Sequence, residues 1–279
     1  MVYILAQVVT AELRNELNAN IYKVQSVYEH GFNICIGEGM CFVGNKNNQK
    51  VPYSIILEKG EVSKCINLIS PDHSTFHWNK DTQELHSQDV VICLKDIHVY
   101  DSKIQKALYP LDINKWSMFI HKVPKDFPTG FGTNAKTFLG DYHEELEELQ
   151  EAFVSTDIKK VRNGLKKWVG RGIGLTPSGD DFLIGILYIN HGYPFITALF
   201  FQELEKLLEQ EYTTRVSTHY LRCAMKGLYS ETLKEVLQRI EEGNVEALDK
   251  SIKHLEQFGH TSGHDTMLGI LSGLSIIIK

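Results

Sequence analysis

The chain changes texture near residue 130, and that change limits the folds open to it. Five of its seven prolines lie before residue 129; the other two are Pro177 and Pro194. The first half carries short runs rich in β-branched and aromatic residues: Val2–Val9, Tyr22–Tyr28, Phe32–Ile36, Met40–Val43, Tyr53–Leu57, Val90–Leu94 and Ile97–Tyr100. Turn chemistry such as Glu29-His30-Gly31 and Gly44-Asn45-Lys46-Asn47-Asn48 separates them, the pattern of a sandwich or a barrel-like sheet. Short helices are expected over Ala11–Asn18 and Ile113–Lys122.

Beyond about residue 135 the period becomes helical. Phe138–Phe153 reads as one charged amphipathic helix, and Ser155-Thr156-Asp157 is a fitting cap for a helix over Ile158–Val169. Further helices are expected at about 181–190, 195–209, 213–226, 231–241 and 245–257, with the last from about 265 to the end, and Gly192, Gly227, Gly243 and Gly259 punctuate them. The expected class is α+β: a β-rich domain over 1–130, then an α-helical domain over 131–279.

Composition narrows the function. The 29 Lys and Arg against 35 Asp and Glu give a formal net charge of −6, which argues against nucleic acid as partner, since phosphate neutralisation needs clustered cations. The five cysteines are odd in number and form no Cys-x-x-Cys pair, so a reducing compartment is expected. The N-terminus lacks the cationic stretch of a secretory signal. The greasiest run, Met267–Ile278, is broken by Gly269, Ser272 and Gly273 and is shorter than the ~20 residues that span a bilayer. The expectation is a cytoplasmic protein with no membrane partner.

One short pattern occurs twice. Ser178-Gly179-Asp180-Asp181-x-x-x-Gly185 and Ser262-Gly263-His264-Asp265-x-x-x-Gly269 share Ser-Gly-x-Asp-x-x-x-Gly, each between a glycine-containing loop and an apolar helix. Serine before glycine supplies an N-cap hydroxyl and a tight turn. A helix start presents unpaired N–H groups and a partial positive charge that favour an anion. Glycine inside a helix costs about 1 kcal/mol against alanine, so Gly185 and Gly269 are expected where the two helices cross, in an approximate two-fold. That crossing would bring both turns to one cleft. Set against this, Ser-Gly-x-Asp also serves plain helix capping.

Neighbouring segments add candidates. Gly170-Arg171-Gly172-Ile173-Gly174 can bring backbone close to a ligand, although it lacks the Rossmann spacing and the P-loop ending. In Thr213-Thr214-Arg215-Val216-Ser217-Thr218-His219, the hydroxyls of Thr214 and Ser217 with Arg215 could line an anion site, or the segment is an ordinary amphipathic helix. Asp180, Asp181 and Asp265 would repel an anion unless Arg171, Arg215 or a bound Mg²⁺ offsets them. No motif demands a cofactor. His260-x-x-x-His264 and His73-x-x-x-His77 have metal-like spacing without a metalloprotease motif, and twelve histidines make such pairs unremarkable.

Gly170-x-Gly-x-Gly-Leu-Thr-Pro-Ser-Gly-Asp-Asp-x-Leu-x-Gly185, then Thr213-Thr214-Arg215-x-Ser217, then Thr261-Ser262-Gly263-x-Asp265, resembles the AllH family. That bacterial family is connected with oxamate carbamoyltransferase in allantoin, ureide and purine catabolism. The likeness covers mainly 165–275, and His264 stands where the first copy has Asp180. The resemblance implies a subunit of an enzyme that interconverts oxalurate plus phosphate with oxamate plus carbamoyl phosphate, working with other carbamoyltransferase subunits. On this reading Ser178, Gly179, Ser262 and Gly263 hold the phosphate or carboxylate of a small anionic substrate, and Arg171 and Arg215 offset charge. Asp180, Asp181 and Asp265 orient a cation or an amide. Gly172, Gly174, Thr176, Thr214, Ser217 and His264 complete the substrate-binding set. Two other readings stand beside it: an Mg²⁺-dependent phosphoryl-transfer or hydrolytic enzyme with the three aspartates as ligands, and a non-catalytic scaffold subunit.

Overall fold

The structure, a computed structural model, describes residues 1–18, 21–45, 50–71, 73–104 and 113–278. The chain divides into two compact units, Met1–Lys103 with Leu228–Glu231, and Ile104–Gly227 with Thr232–Lys279. The architecture is the expected α+β.

Among the described residues of the first unit ten strands form one hydrogen-bonded series: β1 (Val2–Leu5), β2 (Val8–Thr10), β3 (Ile21–Tyr28), β4 (Gly31–Ile36), β5 (Gly39–Asn45), β6 (Ser54–Leu57), β7 (Thr75–Asn79), β8 (Glu84–His86), β9 (Val90–Cys93) and β10 (His98–Tyr100). Their order is β1-β9-β8-β7-β3-β4-β5-β6-β2-β10. β1 and β2 therefore sit eight places apart, roughly 38 Å if the sheet lay flat. Yet only Ala6 and Gln7 part them in sequence, a reach of about 11 Å. The sheet must curl. Ala6 N–H donates to the Cys93 carbonyl at 3.0 Å and Gln7 N–H to that of Ile56 at 2.8 Å, so one stretch of chain passes from one end of the series to the other.

Of the two expected sheet forms, this is the barrel-like one. It splits the expected Val2–Val9 run into two strands. β6 and β9 are buried along their whole length, as strands covered on both faces are. Helix α1 (Ala11–Glu16) falls within the expected Ala11–Asn18 span, and helix α2 (Lys59–Ile66) packs on β4 and β5 through Val62 and Cys65. The Glu29-His30 turn joins β3 to β4 as expected, with Tyr28 opposite Gly31. Gly44 and Asn45 belong to β5, and the rest of that expected turn, Lys46-Asn47-Asn48, lies outside the described residues. Leu228–Glu231 is tied in by Tyr229 N–H to the Ser102 carbonyl and Glu231 N–H to that of Lys50. The five cysteines are free and four are buried.

The second unit is helical: α3 (Ile113–Lys122), α4 (Ala135–Asp141), α5 (His143–Val154), α6 (Ile158–Lys166), α7 (Ser178–Gly192), α8 (Ala198–Glu209), α9 (Arg215–Met225), α10 (Glu231–Glu242, from Thr232 onward), α11 (Val245–Glu256) and α12 (Ser262–Ile277). The single helix expected over Phe138–Phe153 is two. Asn134 caps α4 by accepting from Thr137 N–H at 3.1 Å, and the chain breaks at Tyr142 (φ −119) before Glu144 and Glu145 open α5. Asp157 caps α6 as expected, accepting from Lys159 N–H at 2.8 Å. α7 is apolar on nearly every face and lies in the middle of this core against α12 and α9. Trp168 stacks on Phe182 with ring centroids 4.5 Å apart. Among the described residues no helix is long and apolar enough to cross a membrane.

Candidate functional site

The site is built where α7 and α12 cross. A Cβ on Gly185 would fall within 3.0 Å of Thr266 O, Ile270 N and Gly269 Cα, and a Cβ on Gly269 within 3.0 Å of the Phe182 carbonyl. The contact is reciprocal: each glycine meets the carbonyl of the residue three before the other. Both mid-helix glycines are thus explained by backbone approach, as their spacing predicts.

This register brings the two starts together, though not by the capping the sequence suggests. Ser178 and Ser262 are the first helical residues; the cap positions are Pro177 and Thr261, and neither makes a side-chain cap bond. The serine hydroxyls are therefore released across the crossing. Ser262 Oγ lies 2.8 Å from Thr176 Oγ1, and both hydroxyls face Asp181. Ser178 lies beside Asp265. Each turn's serine serves the other turn's carboxyl.

Gly130 fills the space between. Its N–H donates to Asp265 Oδ1 at 2.9 Å, and a Cβ there would fall within 3.0 Å of Ser178 Oγ, Thr261 Oγ1 and Asp265 Oδ2. Neither Gly130 nor Thr261 was foreseen as a site residue. Thr261 stands in the Thr261-Ser262-Gly263-x-Asp265 block, and Gly130 in Pro128-x-Gly130-x-Gly132, which reads equally as linker.

The donors expected at Gly179 and Gly263 are used elsewhere. Gly179 N–H donates to the Arg171 carbonyl at 2.9 Å and Gly263 N–H to that of Phe258 at 3.0 Å. These glycines are needed because a Cβ would strike the Trp168 and Leu255 carbonyls.

The three aspartates differ in kind. Asp180 is fully buried and saturated: Oδ1 accepts from Gly170 N–H at 2.9 Å, and Oδ2 accepts from Ser217 Oγ at 2.6 Å and from Thr213 Oγ1. It ties the glycine loop to the start of α9. Thr214 caps α9, accepting from Ser217 N–H at 3.0 Å, and donates to the Leu175 carbonyl. The expected anion-lining hydroxyls of Thr214 and Ser217 thus brace the loop. Gly172 (φ +113) lets that loop fold onto Ser178, whereas Gly174 faces open space. Asp180→Ala is expected to strand three donors and cost about 1–3 kcal/mol; faster exchange of the Gly170 amide, followed by hydrogen exchange, checks it.

Asp181 (5% exposed) and Asp265 (0%) each keep one oxygen, Oδ2, buried without a hydrogen-bond partner. Burial pushes the Asp181 carboxyl well above the usual carboxylate range; the Ser262 hydroxyl pulls it back in part, and Asp265 nearby raises it further. Burial also raises Asp265, against the opposing pull of the Gly130 N–H and the Ser178 hydroxyl. His264 stacks on Phe127 at 5.2 Å, with Nδ1 buried and unpartnered.

Arg171 lies 4.5 Å from the Tyr142 ring centroid and 3.8 Å from Glu145, and Arg215 is exposed at the first turn of α9. Among the described residues no three His, Cys, Asp or Glu gather to hold a metal ion. With Asp180 saturated by protein donors, an Mg²⁺ centre made of all three aspartates does not fit.

No solved structure matches the chain. A family model matches residues 168–274, which include both Ser-Gly turns, the glycine loop and helices α7 to α12. In that segment the chain is similar to the AllH family, described as oxamate carbamoyltransferase subunit AllH.

Proposed function

We propose that the chain acts as a subunit of an oxamate carbamoyltransferase, with other carbamoyltransferase subunits, and that the crossing of α7 and α12 binds its small anionic substrates. The observation that carries this reading is the exchange of serines between the two turns, beside two buried carboxyl oxygens that close no hydrogen bond. Buried polar atoms are almost always satisfied, so a pair left open at one place argues for a ligand that completes it. A purely structural role leaves both without purpose.

On binding, the hydroxyls of Ser178, Ser262, Thr176 and Thr261 turn from the carboxyls to a phosphate or carboxylate, and the dipoles of α7 and α12 add positive potential. The repulsion expected from the aspartates is relieved in part because burial makes Asp181 resist ionisation. Arg215, exposed two residues before Ser217, draws the anion in. Catalysis then rests on positioning and electrostatic stabilisation of the carbamoyl group as it passes between phosphate and oxamate. The free cysteines support a cytoplasmic setting.

The double variant Ser178→Ala/Ser262→Ala is the test. Carbamoyl phosphate formation by the enzyme assembled with its other subunits is expected to fall about 100-fold or more, and inorganic phosphate is expected to stop raising the Tm of the full chain. Wild-type turnover together with an unchanged response to phosphate overturns the reading.

A further inference from the structure

We infer that the unpartnered oxygens of Asp181 and Asp265 seat the amide nitrogen of the substrate, Asp265 Oδ2 accepting one N–H while Asp181 exchanges the proton of the other. The inference rests on the carbamoyl-transfer reading and deepens it by naming the part of the substrate that reaches the floor of the site. Both side chains are more than nine-tenths buried; Asp265 Oδ1 accepts from Gly130 N–H, and the hydroxyls of Ser262 and Thr176 lie beside Asp181. What remains is Asp265 Oδ2 as an acceptor and Asp181 Oδ2, which donates while its carboxyl is neutral and accepts once the proton has left. A fully ionised phosphate or carboxylate offers Asp265 Oδ2 no donor. The nitrogen of oxamate offers two N–H groups, and the bridging nitrogen of oxalurate offers one and gains the second in the reaction.

The proton count closes on Asp181. When hydrogen phosphate attacks the carbamoyl carbon of oxalurate, a phosphate O–C bond forms and the C–N bond to the oxamate nitrogen breaks. That nitrogen takes the proton of Asp181 and becomes the NH2 of oxamate. Asp181 regains a proton from the attacking hydrogen phosphate. A carboxyl kept neutral by burial can carry this proton at neutral pH.

Asp265→Asn gives a clean substitution. Oδ1 is pinned by the Gly130 N–H, so the amide NH2 must take the place of the open Oδ2 and meet the ligand's NH2 donor to donor. The experiment titrates the full chain calorimetrically with oxamate, with oxalate, which has the same size and no amide, and with inorganic phosphate. Wild type is expected to prefer oxamate to oxalate by at least about tenfold. Asp265→Asn is expected to lose that preference. Asp181→Asn is expected to bind oxamate within a few-fold of wild type while turnover in the assembled enzyme falls about 100-fold or more. Equal affinity for oxamate and oxalate, no oxamate binding at all, or a preference that survives Asp265→Asn overturns the inference, as does full turnover by Asp181→Asn. Phosphate reports separately: binding of phosphate without an oxamate preference sinks this inference and leaves the carbamoyl-transfer reading, and binding of neither sinks both.

Discussion

Alanine at Gly185 is expected to destabilise the helical unit by about 1–3 kcal/mol net, although alanine is intrinsically the better helix former by about 1 kcal/mol. The new methyl would meet Thr266 O, Ile270 N and Gly269 Cα within 3.0 Å. All three are backbone, so no side chain can swing aside and the helices themselves must part. Gly269→Ala drives its methyl into the Phe182 carbonyl and is expected to behave alike. Because both substitutions force open the same contact, the double variant is expected to cost clearly less than the sum of the singles. Urea unfolding of the four proteins measures this, and thermal melting should show each single variant lowered by roughly 3–10 °C. Parting the helices also draws Ser178 away from Asp265 and Ser262 away from Asp181, so phosphate should no longer protect either variant. Strict additivity, or a stabilised Gly185→Ala, would remove the close crossing.

The second large effect runs the other way. Asp181→Asn is expected to make the protein more stable at neutral pH, by about 1–3 kcal/mol, while removing the proton it is proposed to transfer. Burial sets the folded pKa of Asp181 above the unfolded value. The folded chain therefore holds the extra proton across the window between the two. The stability linked to this group is fully present below the ordinary carboxylate pKa and is lost as pH rises through the raised folded value. Asparagine has no such proton to lose. The gain of Asp181→Asn over wild type should vanish near pH 4 and grow towards pH 7, as read from urea midpoints across that range. A variant less stable than wild type at neutral pH, with the same slope against pH, would show that Asp181 is not the strained carboxyl its surroundings make it. Residues kept for chemistry at a cost in stability are common at active sites.

The crossing was legible because glycine inside an apolar helix has few other reasons to be there, and the same spacing occurs twice. The role of the serines was not. Cap and first turn differ by a single position, and a shift of one residue turned Ser178 and Ser262 from capping their own helices to facing the opposite carboxyl. Asp180 and Asp181 look equivalent in sequence, yet neighbours on a helix point about 100° apart. One meets three protein donors; the other faces the opposite turn. Gly130 was hidden because a lone glycine in a proline- and glycine-rich stretch reads as a bend, and its contacts with Ser178 and Asp265 depend on a fold made much later in the chain.

In the β-rich unit, β7 and β8 escaped notice because each buries a single apolar residue, Phe76 and Leu85, among polar neighbours. The curl of the sheet follows from pairings as distant as Val2 with Val90 and Val8 with Ile56, which no local pattern encodes.

That each serine serves the opposite carboxyl leaves the site without separable halves. A fragment that stops before α12 forfeits the partner of both Ser178 and Asp181 at once, so a nicked or shortened chain should be inert rather than half as good. The same interlock means that descent by duplication, if the two turns arose that way, could have reached this arrangement only once both copies were folded against each other.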